Sequence, residues 1–256
     1  MISIFQAIVL GIVEGITEFL PISSTGHLIL AANLLKIIES EFVKSFEIII
    51  QLGAILAVVF LYGKKILYNK QLFLKITAAF IPTGIIGLLI YKVAKQYFLG
   101  NSHLVIYSLF IGGLVLIFFE KWYAKDKTEK MDISKLTYKH AVILGVVQSL
   151  AIVPGVSRAA ATIVGGLALG YDRKSIVEFS FLLAIPTMLA ATGLDLIKNG
   201  NSFDSSQVVS LGIGFVVSFI TAIIAVKWLV KFIKGHTFTG FGIYRVLVAA
   251  AAYFII

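Results

Sequence analysis

Residues 11–27 read GIVEGITEFLPISSTGH, an apolar run that carries two carboxylates, breaks at a proline and ends in three hydroxyls, a glycine and a histidine. Proline removes a backbone donor and clashes with the turn before it. Residues 3–34 therefore predict a helix, a loop and a second helix, neither long enough to cross a bilayer, which takes about 20 apolar residues. Residues 140–169 repeat the pattern: GVVQSLAIVPGVSRAA from Gly145 aligns with GIVEGITEFLPISSTG from Gly11 with a single-residue gap, and breaks at Pro154 and Gly155. Irregular backbone at membrane depth is tolerated only where protein or a watery cavity satisfies its polar groups. Both stretches are thus expected to be re-entrant hairpins whose loops meet inside the protein.

Outward from these hairpins lie six long apolar runs, near residues 46–62, 74–91, 104–119, 176–197, 207–229 and 240–256. With 59% hydrophobic and 14% charged residues over 256 positions, and a mean hydropathy of +0.99, the chain is too apolar for an ordinary soluble domain. The expected fold is an all-α integral membrane protein of about six transmembrane helices plus two re-entrant hairpins. It forms one membrane domain over 1–256, with a first repeat over 1–120 and a second over 140–256. Three spans per repeat require the second to be inverted, an arrangement shared by transporters and by proteins that build a site at the midplane. The correspondence also sets Glu47 opposite Glu178, each near the start of a span.

Composition excludes several chemistries. No cysteine means no disulfide, thiolate nucleophile or zinc–thiolate site. The net charge of +9 comes from basic residues scattered between apolar segments, which suits anionic lipid headgroups and not nucleic acid. The N-terminal run lacks a basic stretch ahead of it and carries Glu14 and Glu18, so it is expected to belong to the mature fold. Lys and Arg divide fifteen to five between the two sides implied by the spans, with Arg158 and Arg245 inside segments. Cytoplasmic loops are enriched in these residues; the bias predicts both termini, and the entry to the first hairpin, outside.

Ionisable groups at membrane depth are costly and are functional candidates by default. Glu14 and Glu18 stand one helical turn apart and share a face, where they hold a cation or repel each other; the alternative is an interfacial amphipathic helix with two solvated acids. Ser23, Ser24, Thr25 and Gly26 occupy an expected helix start, whose N–H groups and dipole suit phosphate, and His27 falls in its first turn. Capping alone needs one hydroxyl. In the second hairpin, Ser157 repeats the cap and Arg158 adds a guanidinium suited to phosphate, or to pairing with Glu14 or Glu18. Gln148 stands where the first hairpin has Glu14, so an asymmetric site is expected. Glu47 and Gln51 line an entrance or form an ordinary boundary pair. His103, His140, His236 and Asp195 read as interface and loop residues.

GIVEGITEFLPISSTGH at 11–27, FEIIIQLGAILAV at 46–58 and PGVSR at 154–158 resemble the undecaprenyl-pyrophosphate phosphatase family, also called bacitracin-resistance proteins, over essentially the whole chain. One departure is Ala159–Ala160, where the family commonly has Ser-Gly. The resemblance implies hydrolysis of a C55 isoprenoid pyrophosphate to its monophosphate at the outer face of the bacterial cytoplasmic membrane, recycling the carrier for cell-wall synthesis. It also implies a divalent cation, Mg2+ or Ca2+, at Glu14 and Glu18, ions whose preferred ligands are oxygens. On this reading Glu14, Glu18, Ser24, His27 and Arg158 are catalytic, and Ser23, Thr25, Gly26, Ser157 and Gln51 bind substrate. Ser24 is the expected nucleophile, with Glu18 or His27 taking its proton; metal-activated water and a phosphohistidine at His27 stand as alternatives. Expected partners are the polyprenyl pyrophosphate and membrane lipids, with a homodimer as the assembly considered. A transporter or flippase of the phosphorylated carrier is the rival function, and a purely structural scaffold the third.

Overall fold

The computed structural model describes residues 2–38, 40–98, 101–123, 130–199 and 205–255. Lys125 and Lys127 of the expected basic side, and Ile256 of the last expected span, lie outside the described residues, as do the side chains of Lys92, Lys95, Asp195 and Lys198.

Ten α-helices are described: α1 Ile4–Thr17, α2 Ser24–Leu34, α3 Glu41–Leu67, α4 Lys70–Val93, α5 Ser102–Tyr123, α6 Tyr138–Gln148, α7 Arg158–Ala168, α8 Arg173–Asn199, α9 Ser205–Phe232 and α10 Thr239–Ile255. Among the described residues, five (α3, α4, α5, α8 and α9) are long and apolar enough to cross a membrane. The sixth expected span, α10, is shorter: its 17 residues extend about 26 Å at 1.5 Å per residue. The charged ends of α3 and α8 continue the helix beyond the apolar runs that mark them in the sequence. Pro82 and Pro186 lie inside α4 and α8 without ending them.

The hairpin pairs α1–α2 and α6–α7 are broken where proline demands. α1 stops at Thr17 and α2 starts at Ser24; α6 stops at Gln148, a 3-10 turn covers Ser149–Ile152, and α7 starts at Arg158. The two halves start alike. Ser3 caps α1 by accepting the Gln6 N–H at 3.2 Å, and Thr137 caps α6 by accepting the His140 N–H at 3.1 Å. Ser23 and Ser157 cap α2 and α7 from left-handed backbone, at φ 73 and φ 77, where non-glycine residues are uncommon.

Packing crosses between the halves. α1 lies along α9, and its counterpart α6 lies along α4. A Cβ at Gly15 would sit 2.0 Å from Thr221 Oγ1, and one at Gly145 would sit 1.9 Å from the Ala79 carbonyl oxygen. Such close backbone approach is how helices associate in lipid, where no hydrophobic drive separates helix from tail. α5 pairs with α10, and α3 packs against both α8 and α9. The largest core cluster gathers Phe19, Ile55, Val58, Phe179, Phe181, Leu182 and Leu229 around the hairpin ends.

A second tie holds the lysine-rich side. Arg173 at the start of α8 forms a salt bridge with Glu120 of α5, whose Oε1 also accepts the Phe238 N–H at 2.9 Å. The guanidinium lies over the Tyr123 and Phe238 rings. Beside it, Met131 and Tyr171 form an isolated parallel bridge. Glu178 pairs with Lys65 at 2.5 Å and falls one position out of helix register with Glu47, given that α3 and α8 begin at residues 41 and 173.

Candidate active site

Glu18 follows the last residue of α1 and caps it, and this end of the helix meets the starts of α2 and α7. Its carboxylate faces two ways. Oε2 accepts the Ser24 hydroxyl at 2.5 Å, and Oε1 accepts from Arg158 Nη2 at 3.1 Å. Nη1 of Arg158 donates to the Ser180 carbonyl of α8 at 2.8 Å, and the guanidinium lies 6.0 Å from the Phe19 ring centroid. All three side chains are at most 8% exposed. Burying an ion pair costs desolvation that only good hydrogen bonding recovers. Here the Nε of Arg158 has no hydrogen-bond partner among the described residues.

These groups open onto a cavity of about 70 Å³ lined by Glu18, Ser23, Ser24, Thr25, Pro154, Gly155, Ser157 and Arg158, with Ala151 and Met188 closing it. The loops of both hairpins thus meet in one chamber. Six of the expected site residues line it: Glu18, Ser23, Ser24, Thr25, Ser157 and Arg158. The other four stand elsewhere. Gly26 lies behind the wall, where its N–H donates to Ser23 Oγ at 3.4 Å. Gln51 sits partly exposed on α3, away from the lining.

His27 turns away from Ser24. Its Nδ1 lies 2.7 Å from the Ser23 carbonyl and its Nε2 lies 2.9 Å from the Tyr244 hydroxyl, with the two rings stacked at 7°. A carbonyl can only accept, so Nδ1 carries a hydrogen, and when the ring is neutral Nε2 is the acceptor for the tyrosine O–H. The hydrogen bond on Ser24 therefore goes to Glu18 and not to His27.

Glu14 is fully buried, and among the described residues neither carboxylate oxygen makes a hydrogen bond of good geometry, the Glu18 carboxylate being the charged neighbour that acts on it most. Buried polar groups are otherwise nearly always satisfied, so this orphaned pair of oxygens fits a bound cation. Among the described residues no cluster of three acidic or histidine ligands exists; Glu14 and Glu18 are the expected pair, Glu47 is near enough to act on Glu14 electrostatically, and the remaining ligands would be substrate or water oxygens. Gln148, its counterpart in the second hairpin, is fully engaged instead. Its Nε2 donates to Thr83 and Thr187 Oγ1 at 3.2 and 3.1 Å, and its Oε1 accepts from Thr162 at 3.4 Å. The asymmetry between the hairpins is thus built into their partners.

Two residues were not among the expected site residues. Tyr244, which holds His27, looks in sequence like any aromatic at a helix end. Arg245 is wholly buried and donates to the carbonyls of Pro21, Ser108, Leu109, Gly155 and Val156. An arginine inside an apolar run was the available signal.

Apolar helices crossing between two halves, with a buried Glu–Ser–Arg centre where the broken hairpins meet, define a multi-pass helical membrane protein. The profile of Bacitracin resistance protein BacA matches residues 7–251, and the chain belongs to that family. It is 53% identical over 253 residues to an undecaprenyl-diphosphatase of Aquifex aeolicus, covering 98% of both chains. It is 53% identical over 248 residues to one of Sulfurihydrogenibium sp., covering 97% of both. To one of Wolinella succinogenes it is 51% identical over 245 residues, 95% of this chain and 94% of that one.

Proposed function

We propose that this chain is an undecaprenyl-diphosphatase that removes the terminal phosphate of undecaprenyl pyrophosphate. One observation carries the reading beyond the names of its relatives: a single buried carboxylate, Glu18, holds the Ser24 hydroxyl on one oxygen and Arg158 on the other. A serine hydroxyl is a weak nucleophile unless an adjacent base takes its proton. Ser24 Oγ attacks the terminal phosphorus, its proton passes to Glu18, and the bond to the bridging oxygen breaks. The lipid monophosphate leaves with that oxygen. Glu18 passes its proton to the departing monophosphate; water then attacks the phosphoserine, giving a proton to the freed carboxylate, which returns it to Ser24 Oγ as inorganic phosphate is released.

Phosphoryl transfer is catalysed largely by positioning and by stabilising charge on the transferring group. Arg158 supplies that charge by yielding its bond to Glu18 when phosphate enters, and the starts of α2 and α7 present backbone N–H groups. Glu14 and Glu18 would hold a Mg2+ or Ca2+ ion, which supplies further neutralisation of the pyrophosphate. His27, held by Tyr244, supports the start of α2.

The same reading makes the chain one membrane domain of two inverted repeats, with residues 1–120 and 140–256 each contributing a re-entrant hairpin and three spans. Matching helix starts and the paired left-handed caps favour it. The bias of Lys and Arg favours an active site on the outer face of a bacterial cytoplasmic membrane. The crossed packing also suits a carrier that rocks one half against the other, so transport of the phosphorylated lipid is the second reading.

Phosphate release from an isoprenoid pyrophosphate by the detergent-solubilised protein, with and without chelator, tests the proposal. Release should be chelator-sensitive and should collapse in Glu18→Gln, Ser24→Ala and Arg158→Ala. A protein that releases none while moving the phosphorylated lipid between leaflets would be a carrier instead.

A further inference from the structure

We infer that Arg245 is a positioning residue for phosphoryl transfer, holding the two hairpin breaks in register once substrate has drawn Arg158 away from Glu18. The inference rests on the proposed hydrolysis and extends it to a residue outside the cavity lining.

Arg245 lies on α10, in the wall behind the site, and none of its side chain is exposed. Its five hydrogen bonds end on main-chain carbonyls from three places: Pro21 in the first break at 3.3 Å, Gly155 and Val156 in the second at 2.8 and 3.0 Å, and Ser108 and Leu109 of α5 at 3.1 and 3.3 Å. Arginine suits this task because its rigid fork offers five donors and keeps its charge. Lysine would bring three donors from one atom and could not reach three backbones at once.

Two bridges join the hairpins at the chamber. One is the pair of Arg158 with Glu18, which consists of the reacting groups themselves and has to open as phosphate takes the guanidinium. The other is Arg245, whose partners are all backbone and remain bonded throughout. Ser24 follows Pro21 by three residues, and Arg158 follows Gly155 by three, so fixing these carbonyls fixes the separation of nucleophile and guanidinium. The peptide between Val156 and Ser157 is planar; anchoring its carbonyl on Arg245 turns the Ser157 N–H to the opposite edge, and Ser157 lines the cavity.

The surroundings are shaped to the guanidinium. A Cβ at Gly112 would lie 2.0 Å from Nη2, so a side chain there displaces the fork without removing its charge. Among the described residues no carboxylate pairs with Arg245 in a salt bridge, which leaves its positive charge to act on the neighbouring anion site.

The test compares wild type, Arg245→Gln, Arg245→Lys and Gly112→Ala in detergent, reading kcat, KM and the midpoint of thermal unfolding for each. Misplacement of reacting groups lowers kcat far more than affinity. The expected result is a fall in kcat of about 30-fold or more in Arg245→Gln and Gly112→Ala, with KM within about threefold, and a smaller fall in Arg245→Lys. A packing role would lower the unfolding midpoint and leave kcat per folded molecule unchanged. That outcome, or failure of all three variants to fold, overturns the inference. Absence of phosphate release by the wild type sinks the proposed activity and this inference together; release by wild type with unaltered kcat in the variants sinks this inference alone.

Discussion

Ser23 and Ser157 adopt nearly the same left-handed backbone, φ 73 ψ 95 and φ 77 ψ 115, and each hydroxyl accepts the N–H three residues on. Such a conformation costs a non-glycine residue about 1–3 kcal/mol and persists where the surroundings determine it. The same strained corner thus recurs at Ser23 and Ser157, beside one cavity.

Strain and cap can be separated by substitution. Ser157→Gly relieves the backbone and loses a cap at a cost of only a few tenths of a kcal/mol, so its unfolding midpoint should equal or exceed wild type. Ser157→Ala keeps the strain and loses the cap, and should be less stable by about 1 kcal/mol. Equal midpoints for the two variants would show that the corner is unstrained.

Glu18→Gln removes the base from Ser24 and neutralises the partner of Arg158. General-base loss costs roughly 100- to 10,000-fold in rate, and kcat should fall within that range while the purified protein remains folded. Mass spectrometry of the wild type quenched during turnover should find phosphate on the peptide containing Ser24. Turnover without a phosphopeptide would favour direct attack by water.

Close helix contacts should tolerate no methyl group. Gly145→Ala sets a carbon against the Ala79 carbonyl and should destabilise by about 1–3 kcal/mol or more, as overpacking does. Gly212→Ala, in α9 with nothing within 4 Å of the added carbon, should be neutral or stabilise by about 0.5–1 kcal/mol. Thermal unfolding in one detergent distinguishes the pair.

Tyr244→Phe keeps the ring stacked on His27 and deletes the hydroxyl on Nε2. One net hydrogen bond is worth about 0.5–1.5 kcal/mol, so kcat/KM should fall by no more than about tenfold. A loss approaching that of Ser24→Ala would mean that the histidine carries the proton after all.

On the lysine-rich side, Glu120→Gln strips Arg173 of its carboxylate. Uncompensated buried partners cost about 3–5 kcal/mol, and Arg173 is 20% exposed, so the loss should lie toward or below the lower bound. It should appear in the unfolding midpoint, with kcat per folded molecule at its wild-type value.

What the sequence made legible follows from local rules. Pro21 and Pro154 are each followed by hydroxyl residues in an apolar run, so both helix breaks were readable and the serines could be placed as caps, whereas Pro82 and Pro186 lie inside α4 and α8 and end neither. Glu18, Ser24 and Arg158 stood out because charge and hydroxyls in an apolar run require an explanation. Other features depended on distant contacts. The turning of His27 toward Tyr244 joins residues 217 apart, and nothing at either end announces it. Arg245 was visible as a buried charge, yet its carbonyl partners carry no side-chain signature. The crossing of α1 onto α9 and α6 onto α4 was hidden for the same reason: the small residues that permit it, Gly11, Gly15 and Gly145, read as ordinary members of apolar runs.

That crossing also governs the order in which the chain can assemble. The first hairpin rests on α9, which ends at residue 232, so during synthesis it must wait at the bilayer surface or in the insertion machinery until nearly the whole polypeptide has emerged. Ser24 is among the earliest residues made and among the last to find its final neighbours. A truncated product that stops before α9 would therefore expose the acids of α1 to lipid, and the cell would receive a protein it can recognise as unfinished.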